Sequence, residues 1–172
     1  TQALEKGDAR ANYYLGRIAE ESKDYTAAKA YYEQCIASET EMTSDLSRFA
    51  LGQLYQRGDG VEVDYAKAKQ YYEQAIANEC VEANNGLGDL YQHGYEVEQD
   101  GAKAIEYFTL ASQGNEKDWV AYAHLSAGVI YAGKYPNVTQ DYAKAMENYE
   151  KAAALDNANA LNRIGVMYAD GI

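Results

Sequence analysis

Small and apolar side chains recur along the chain at spacings of three and four, which is the spacing of one face of an α-helix. The clearest example is a fourteen-residue segment that occurs four times and starts each time at an aspartate. The shared positions are Ala28, Ala68, Ala104 and Ala145, four after the aspartate; Tyr32, Tyr72, Phe108 and Tyr149, eight after; and Cys35, Ala75, Ala111 and Ala152, eleven after. Each copy predicts a helix, here called helix B. Asp24, Asp64, Asp100 and Asp141 are its predicted N-caps, because a carboxylate can accept from the free N–H groups of the first turn.

A second repeated segment precedes each helix B and is centred on a glycine. The five glycines are Gly16, Gly52, Gly88, Gly128 and Gly165. Small residues stand five positions before each glycine and apolar ones on either side, so this segment predicts another helix, helix A. A glycine inside a helix costs roughly 1 kcal/mol relative to alanine. Five of them in register therefore predict that a neighbouring helix crosses closely at each one.

Tyrosine is unusually frequent, with 18 in 172 residues. Seven tyrosines lie at repeat positions that predict a buried ring with a hydroxyl at the edge of the core. They are Tyr32, Tyr55, Tyr72, Tyr91, Tyr131, Tyr149 and Tyr168. Others, if exposed, would be candidate binding anchors.

Neither helix of a unit can bury its apolar face alone, whereas stacked helix pairs can. We therefore expect an all-α fold, a right-handed α-solenoid of about four and a half helix-turn-helix repeats. We expect one domain over residues 1–172, with repeats at approximately 3–39, 40–78, 79–114 and 115–155 and a half repeat at 156–172. The half repeat has a helix A without a helix B and predicts exposed apolar surface. We expect the natural chain to continue beyond Ile172, or another element to cover this end.

The combined order of Leu-Gly, tyrosine, Gly-x-Gly, aspartate, Lys-Ala and paired tyrosines resembles the Sel1-like repeat, a relative of the tetratricopeptide repeat. Residues 50–77, ALGQLYQRGDGVEVDYAKAKQYYEQAIA, match this pattern best, and the resemblance covers essentially the whole chain. The first unit departs from it, because Asp24 follows Gly16 by 8 residues whereas Asp64 follows Gly52 by 12. This shorter turn has the tetratricopeptide length.

Two further stretches are irregular. The turn AGKYPNVTQ, residues 132–140, is one residue longer than usual and holds the only proline, and the linker SETEMTSDLS covers residues 38–47. We expect loops at both places, where the function of an individual repeat protein often resides.

The charge balance excludes some partners. With 27 acidic and 15 basic residues the chain carries a formal charge of -12, which disfavours nucleic acid and anionic membrane surfaces. No apolar run is long enough to span a bilayer. The lone cysteines Cys35 and Cys80 slightly favour a reducing compartment. The expected location is the bacterial cytoplasm, the periplasm or outside the cell, and the sequence does not choose among them.

No motif for catalysis, cofactor or metal binding is complete. GVIYAGKY, residues 128–135, resembles a phosphate-binding loop, but Tyr135 replaces its Ser or Thr, so a repeat turn is the better interpretation. DGVEVD, residues 59–64, lacks the ligand order of a calcium loop. Cys35 falls on a buried stripe, and Cys80 has no neighbouring histidine to activate it. The sequence therefore predicts a protein that is not an enzyme and needs no cofactor.

The resemblance to tetratricopeptide proteins implies that helix A lines a concave groove. The implied groove positions are Arg10, Tyr13, Arg17, Glu20 and Glu21; Leu46, Phe49, Gln53, Gln56 and Arg57; Glu82, Asn85, Asp89, Gln92 and His93; and Tyr122, Leu125, Val129 and Ala132. Our candidate partner-binding residues are Arg10, Tyr13, Arg17, Phe49, Gln53, Gln56, Arg57, Asn85, Asp89, Gln92, His93 and Tyr122.

The resulting hypothesis is a scaffold or adaptor that binds a peptide or protein, with Arg17 and Arg57 contacting anions or carboxylates. Resemblance to the family implies roles in assembling complexes, in secretion or signalling, and in host contact for bacterial members. Self-association through the terminal half repeat is a further expectation. Two alternatives stay open: a spacer within a larger protein, and a hydrolase-type enzyme with a groove site near Cys80 or His93. The groove side chains could also merely solvate a helix face.

Overall fold

The computed structural model describes residues 9–38 and 41–172, and within them the secondary structure is helical throughout. The helices are α1 Ala9–Glu21, α2 Tyr25–Ala37, α3 Glu41–Arg57, α4 Tyr65–Ala77, α5 Asn84–His93, α6 Gly101–Ala111, α7 Lys117–Ala132, α8 Tyr142–Ala153 and α9 Ala158–Asp170. A 3-10 turn, Val81–Ala83, leads into α5. The odd-numbered helices contain the repeat glycines and are helices A, and α2, α4, α6 and α8 are helices B. This alternation confirms the predicted all-α repeat fold.

The four aspartates cap the helices B as predicted. Each carboxylate accepts from the backbone N–H three residues on, at 3.1 Å for Ala27, 2.9 Å for Lys67, 3.1 Å for Lys103 and 3.0 Å for Lys144. The backbone N–H of each aspartate also donates to the carbonyl three residues after the repeat glycine. These bonds run from Asp24 to Ala19, Asp64 to Tyr55, Asp100 to Tyr91 and Asp141 to Tyr131, at 2.8–3.0 Å. One backbone bond therefore closes every A–B turn.

The repeat glycines face aromatic rings. A Cβ built on Gly128 would lie 2.6 Å from Cε1 of Tyr149, and one built on Gly88 would lie 2.7 Å from Cε1 of Phe108. Cβ atoms built on Gly16 and Gly52 would lie closer still, 2.4 Å from Cε1 of Tyr32 and of Tyr72. Real Cβ atoms essentially never approach within 3.0 Å of such atoms, so the predicted close crossing is confirmed for four of the five glycines. The fifth, Gly165, has no atom of the described residues within 4 Å of its built Cβ.

The chain divides into two units, residues 1–86 and 87–172. The first unit packs Tyr32, Leu51 and Leu54 of α2 and α3 into its core, together with the thiol of Cys35. Cys35 is fully buried, which confirms that it is a packing residue. The second unit has one cluster around Phe108 of α6 and another around Tyr149 of α8. Full burial of a large apolar side chain contributes about 1.5–3 kcal/mol, so these rings dominate each core.

Tyr168 was predicted to be buried, and this prediction is wrong. Its side chain is 70% exposed, whereas Tyr32, Tyr55, Tyr72 and Tyr149 are buried. Tyr91 and Tyr131 lie between these extremes. The difference arises because α8 packs on the side of α9 that carries Ala160 and Met167, and no helix B of the described residues covers Tyr168.

The linker prediction is wrong for most of its length. Helix α3 begins at Glu41, so residues 41–47 are helical; residues 39 and 40 lie outside the described part. Polar side chains of this segment bind the ends of neighbouring helices B. Ser44 Oγ donates to the carbonyl of Cys35 at 3.3 Å, and Asp45 accepts from Asn78 Nδ2 at 2.8 Å. These contacts extend α3 into a stretch whose composition resembles a loop.

The turn after α7 is a loop, as predicted. Helix α7 ends at Ala132 and α8 begins at Tyr142. The segment GVIYAGKY therefore forms the last turn of α7 and the start of the loop, which confirms that it is a repeat turn. The repeat boundaries proposed from the sequence remain predictions.

Candidate functional site

The structure sorts the twelve candidate residues by exposure. Arg10, Arg17, Arg57 and His93 are exposed; Gln53, Gln56, Asp89 and Tyr122 are partly buried; Tyr13, Phe49, Asn85 and Gln92 are buried. The buried four contribute mainly to packing. Phe49, for example, packs on Tyr72 with ring centroids 5.9 Å apart. The surface that a partner can reach is therefore built by the other eight.

On α1, Tyr13 positions Arg17. The ring of Tyr13 packs between Tyr14 and Tyr32, with centroid distances of 5.3 and 6.2 Å. Its hydroxyl accepts a 3.3 Å hydrogen bond from Arg17 Nη1, and this bond raises the pKa of Arg17. Tyr13 thus orients the exposed Arg17 side chain, and the raised pKa keeps its guanidinium protonated.

Arg57, at the end of α3, is already paired with two acids. Its Nη2 donates to Glu20 Oε1 at 2.7 Å, and its Nε donates to Asp59 Oδ2 at 2.6 Å. Partial burial lowers the pKa of Arg57, but these bonds outweigh that effect and the pKa lies above its ordinary value. The other oxygen of Glu20 accepts from the Tyr32 hydroxyl at 2.8 Å. A ligand carboxylate would have to compete with Glu20 and Asp59 for Arg57.

In each unit a side-chain bond joins two neighbouring helices A. The bond from Arg57 to Glu20 links α3 to α1 in the first unit. In the second unit, the Tyr122 hydroxyl of α7 donates to Asp89 Oδ1 of α5 at 2.7 Å. Burial and the neighbouring carboxylate raise the pKa of Tyr122, so its hydroxyl stays protonated. Trp119 packs edge-on to the Tyr122 ring at 6.2 Å, next to this bond.

Glu20 and Gln56 have a role that the sequence reasoning missed. Both stand four residues after the repeat glycine, and both accept a hydrogen bond from the helix B tyrosine that covers it. Tyr72 donates to Gln56 Oε1 at 2.6 Å, as Tyr32 does to Glu20. The signal in the sequence was the pairing of a hydroxyl-bearing ring with a polar residue at fixed register.

A lysine covers the helix A tyrosine in three repeats, which the sequence reasoning also missed. Lys67 Nζ lies 4.4 Å from the Tyr55 ring centroid. The equivalent distances are 5.2 Å from Lys103 to Tyr91 and 5.4 Å from Lys144 to Tyr131. Such cation–π contacts contribute about 0.5–1 kcal/mol at exposed sites. The first repeat has Ala27 and Ala19 at these two positions and lacks the contact.

The groups considered for a groove enzyme have ordinary structural surroundings. Burial, with a smaller effect of Glu82, raises the pKa of the Cys80 thiol to about 12. His93 Nδ1 lies 2.9 Å from the carbonyl of Asp89 on the same helix, and its ring stacks on Tyr95. Within residues 9–38 and 41–172, no group of three or more His, Cys, Asp or Glu side chains could hold a metal ion. None of the helices there combines the length and apolarity needed to cross a bilayer.

Helix pairs that repeat in register, each closed by the same cap and the same glycine contact, define an α-solenoid repeat protein. Residues 46–80, 81–116 and 120–157 match the family model described as the Sel1 repeat. The chain therefore belongs to the Sel1 repeat family. Residues 9–40 match a tetratricopeptide repeat, which confirms the different character of the first unit.

Solved structures of Sel1-type proteins are similar to this chain. A protective antigen present in uropathogenic Escherichia coli strains, displaying an SLR fold, is 31% identical with a TM-score of 0.76 over 99% of this chain and 36% of its own. A Sel1 repeat protein from Oxalobacter formigenes is 22% identical, with a TM-score of 0.75 over 96% of this chain and 65% of its own. The present chain thus spans less than two thirds of either relative. No curated protein matches it.

Proposed function

We propose that the chain is a non-enzymatic scaffold that binds a peptide or protein partner on its helix A faces. Sel1 and tetratricopeptide repeats generally serve as protein-interaction scaffolds. The observation that carries the proposal is the pairing of neighbouring helices A within each unit. The bonds from Arg57 to Glu20 and from Tyr122 to Asp89 hold two helices side by side, so their side chains offer one surface.

In the first unit the proposed anchor is Arg17. It is exposed, and its guanidinium donates to the neutral hydroxyl of Tyr13. A guanidinium in this position suits a carboxylate of the partner. Because Tyr13 already orders the arginine, binding avoids part of the cost of about 0.5–1.5 kcal/mol for fixing a flexible side chain. Arg57 takes part only by exchanging Glu20 or Asp59 for the ligand.

In the second unit the proposed anchors are Tyr122 and Trp119. Both are partly buried aromatic side chains on one turn of α7. Tyr and Trp are the residue types that most often dominate interface energies. The group beside Tyr122 is the carboxylate of Asp89, whereas the anchor of the first unit is the cation Arg17. The two faces therefore suit different segments or side chains of a partner.

A second mode of contact is proposed at α9, where the sequence predicted self-association. Leu161 and Tyr168, two helical turns apart on one side of α9, are 59% and 70% exposed. Exposed apolar side chains that lie together mark interaction surfaces more often than isolated ones do. This contact is independent of Arg17 and Tyr122.

The helix A proposal is tested by affinity capture from a native lysate. The parent chain is compared with Arg17→Ala, with Trp119→Ala and with a control, Lys29→Ala, which removes a helix B cation paired with Glu33. Circular dichroism verifies that each variant is folded. A partner that the parent and the control capture, and that either helix A variant loses, supports the proposal. Equal capture by all four chains would place the binding surface elsewhere, and capture by none would favour the spacer.

A further inference from the structure

The helices A of the two units differ in the charges that they carry. Helices α1 and α3 contain four arginines, whereas α5 and α7 contain no arginine and one lysine, Lys117. The Nζ of Lys117 donates to the carboxylate of Asp156, in the turn between α8 and α9, so this cation is already paired with an acid. Asp89 of α5 and Asp118 of α7 are carboxylates on the same two helices. A cation that neutralises them is therefore best supplied by a ligand.

These carboxylates lie beside the aromatic anchors of the second unit. Asp89, Asp118, Trp119 and Tyr122 are here called the Trp119 surface. The Tyr122 hydroxyl donates to Asp89 Oδ1 at 2.7 Å, which joins α7 to α5. The rings of Trp119 and Tyr122 form a corner, with centroids 6.2 Å apart and an interplanar angle of 79°. Asp118 is exposed and precedes Tyr122 by one helical turn on the same side of α7.

Both carboxylates also have structural roles. Asp118 lies in the first turn of α7, where a negative charge suits the positive end of the helix dipole. Asp89 fixes the Tyr122 hydroxyl. Neither role requires the large indole of Trp119, which is only partly buried beside them. The combination of two rings with two carboxylates is what needs a ligand to explain it.

We propose that the Trp119 surface binds an arginine side chain of the partner. A guanidinium is planar, stacks on aromatic faces and donates to carboxylates in pairs of hydrogen bonds. It would lie on the Trp119 or Tyr122 ring and donate to Asp118 or Asp89. A lysine fits less well, because its compact and strongly hydrated ammonium does not stack. The formal charge of -12 on the whole chain favours the approach of such a basic segment. This inference rests on the proposed helix A function and names the chemistry of the partner at the second unit.

The test uses Trp119 itself as the reporter, because the chain has one tryptophan. A blocked peptide, acetyl-GSRSG-amide, is titrated into the isotope-labelled chain at low salt. Tryptophan fluorescence and the single indole N–H signal in NMR follow the occupancy of the surface. We expect both to change and saturate, with amide shifts confined to the neighbourhood of Asp89 and of residues 117–122. The lysine peptide GSKSG should bind at least about threefold more weakly, and the glutamate peptide GSESG should not bind.

Three variants separate a specific site from general attraction by charge. Asp89→Asn and Asp118→Asn each remove one charge but keep an acceptor oxygen, and each should weaken binding by about threefold to fivefold, the effect of an exposed ion pair. The matched control is Glu106→Gln, which removes an exposed carboxylate from helix B α6 of the same unit and should bind like the parent. Circular dichroism verifies that all three are folded. Equal weakening by all three variants, or shifts spread over the acidic side chains, would overturn the inference.

The remaining outcomes distinguish this inference from the proposed function. Equal binding of the lysine peptide would overturn the choice of arginine. If the arginine peptide does not bind while Trp119→Ala still loses the partner captured from lysate, the inference is overturned and the helix A function stands. If the peptide does not bind and Trp119→Ala captures the partner normally, both the inference and the proposed anchors of the second unit are overturned.

Discussion

The Tyr72 ring lies on Gly52 while its hydroxyl donates to Gln56, one turn further along the same helix. One side chain of helix B therefore contacts two positions of helix A: its ring packs on the glycine, and its hydroxyl donates a hydrogen bond to the residue four positions later. The same arrangement joins Tyr32 to Gly16 and Glu20 in the first repeat. The ring contact recurs in four repeats, whereas the third repeat has Phe108 and therefore no hydroxyl to make the second contact.

Substituting alanine for Gly52 should lower the free energy of unfolding. The new Cβ would overlap the Tyr72 ring, and overpacking costs about 1–3 kcal/mol. The gain in helix propensity, roughly 1 kcal/mol, offsets only part of this cost. Urea unfolding followed by circular dichroism measures the change.

Gly165→Ala is the matched control, because it makes the same change where the structure leaves open space. It should stabilise the chain by up to about 1 kcal/mol. Equal destabilisation by both variants would show that the ring contact is not the cause.

Asp100→Ala should destabilise the second unit through loss of the N-cap, and Asp100→Asn should retain most of that stability. The stability that this cap contributes depends on pH. Hydrogen bonds from the backbone N–H of Lys103 and from Asn137 lower the pKa of Asp100 below its ordinary value. Its stabilising effect is therefore complete above the unfolded-state pKa, about 3.9, and is lost as the pH falls through the lower folded-state value. Unfolding measured between about pH 2 and 6 should show a smaller acid loss for Asp100→Asn.

Substitution of Arg57 should lower the stability of the chain, whereas substitution of Arg17 should reduce partner binding. Arg57→Ala removes two ion pairs, and because the side chain is 45% exposed the loss should be about 1 kcal/mol or less. Arg17→Ala should change stability by less than about 0.5 kcal/mol and reduce partner capture instead. Thermal unfolding of both variants at low and high salt checks the first part, since only the Arg57 effect should shrink with salt. A larger loss for Arg17 would make it a structural residue.

Native Cys80 should react slowly with thiol reagents. Burial keeps the pKa of its thiol at about 12, so almost no thiolate is present at pH 8, where an ordinary cysteine is partly ionised. Colour development with a disulfide reagent at pH 8 should be slow for the folded chain and fast in denaturant. A fast phase that disappears in Cys80→Ala would contradict the burial and reopen the enzyme alternative.

Much of the fold was predictable because its main contacts are local and occur several times. The caps, the glycine contacts and the alternation of helices follow from register within about twenty residues. What the sequence could not supply depends on distant partners. Arg57 is paired with Glu20, which lies 37 residues earlier on the other side of α2 in the sequence, and α3 extends through residues 41–47 because Ser44 and Asp45 bind the ends of α2 and α4. Tyr168 has the same local pattern as Tyr55 and differs only in what packs on it.

The backbone bond that closes each A–B turn has a further consequence. It always joins the aspartate cap to the carbonyl three residues after the glycine, yet the residues between its ends number four in the first repeat (20–23), eight in the second (56–63) and nine in the fourth (132–140). Doubling the length of a flexible loop costs only about 0.6 kcal/mol. The stack is therefore insensitive to how long its turns are. Foreign segments could be grafted at these turns, and one repeat could acquire a new specificity while the helices that carry it stay in register.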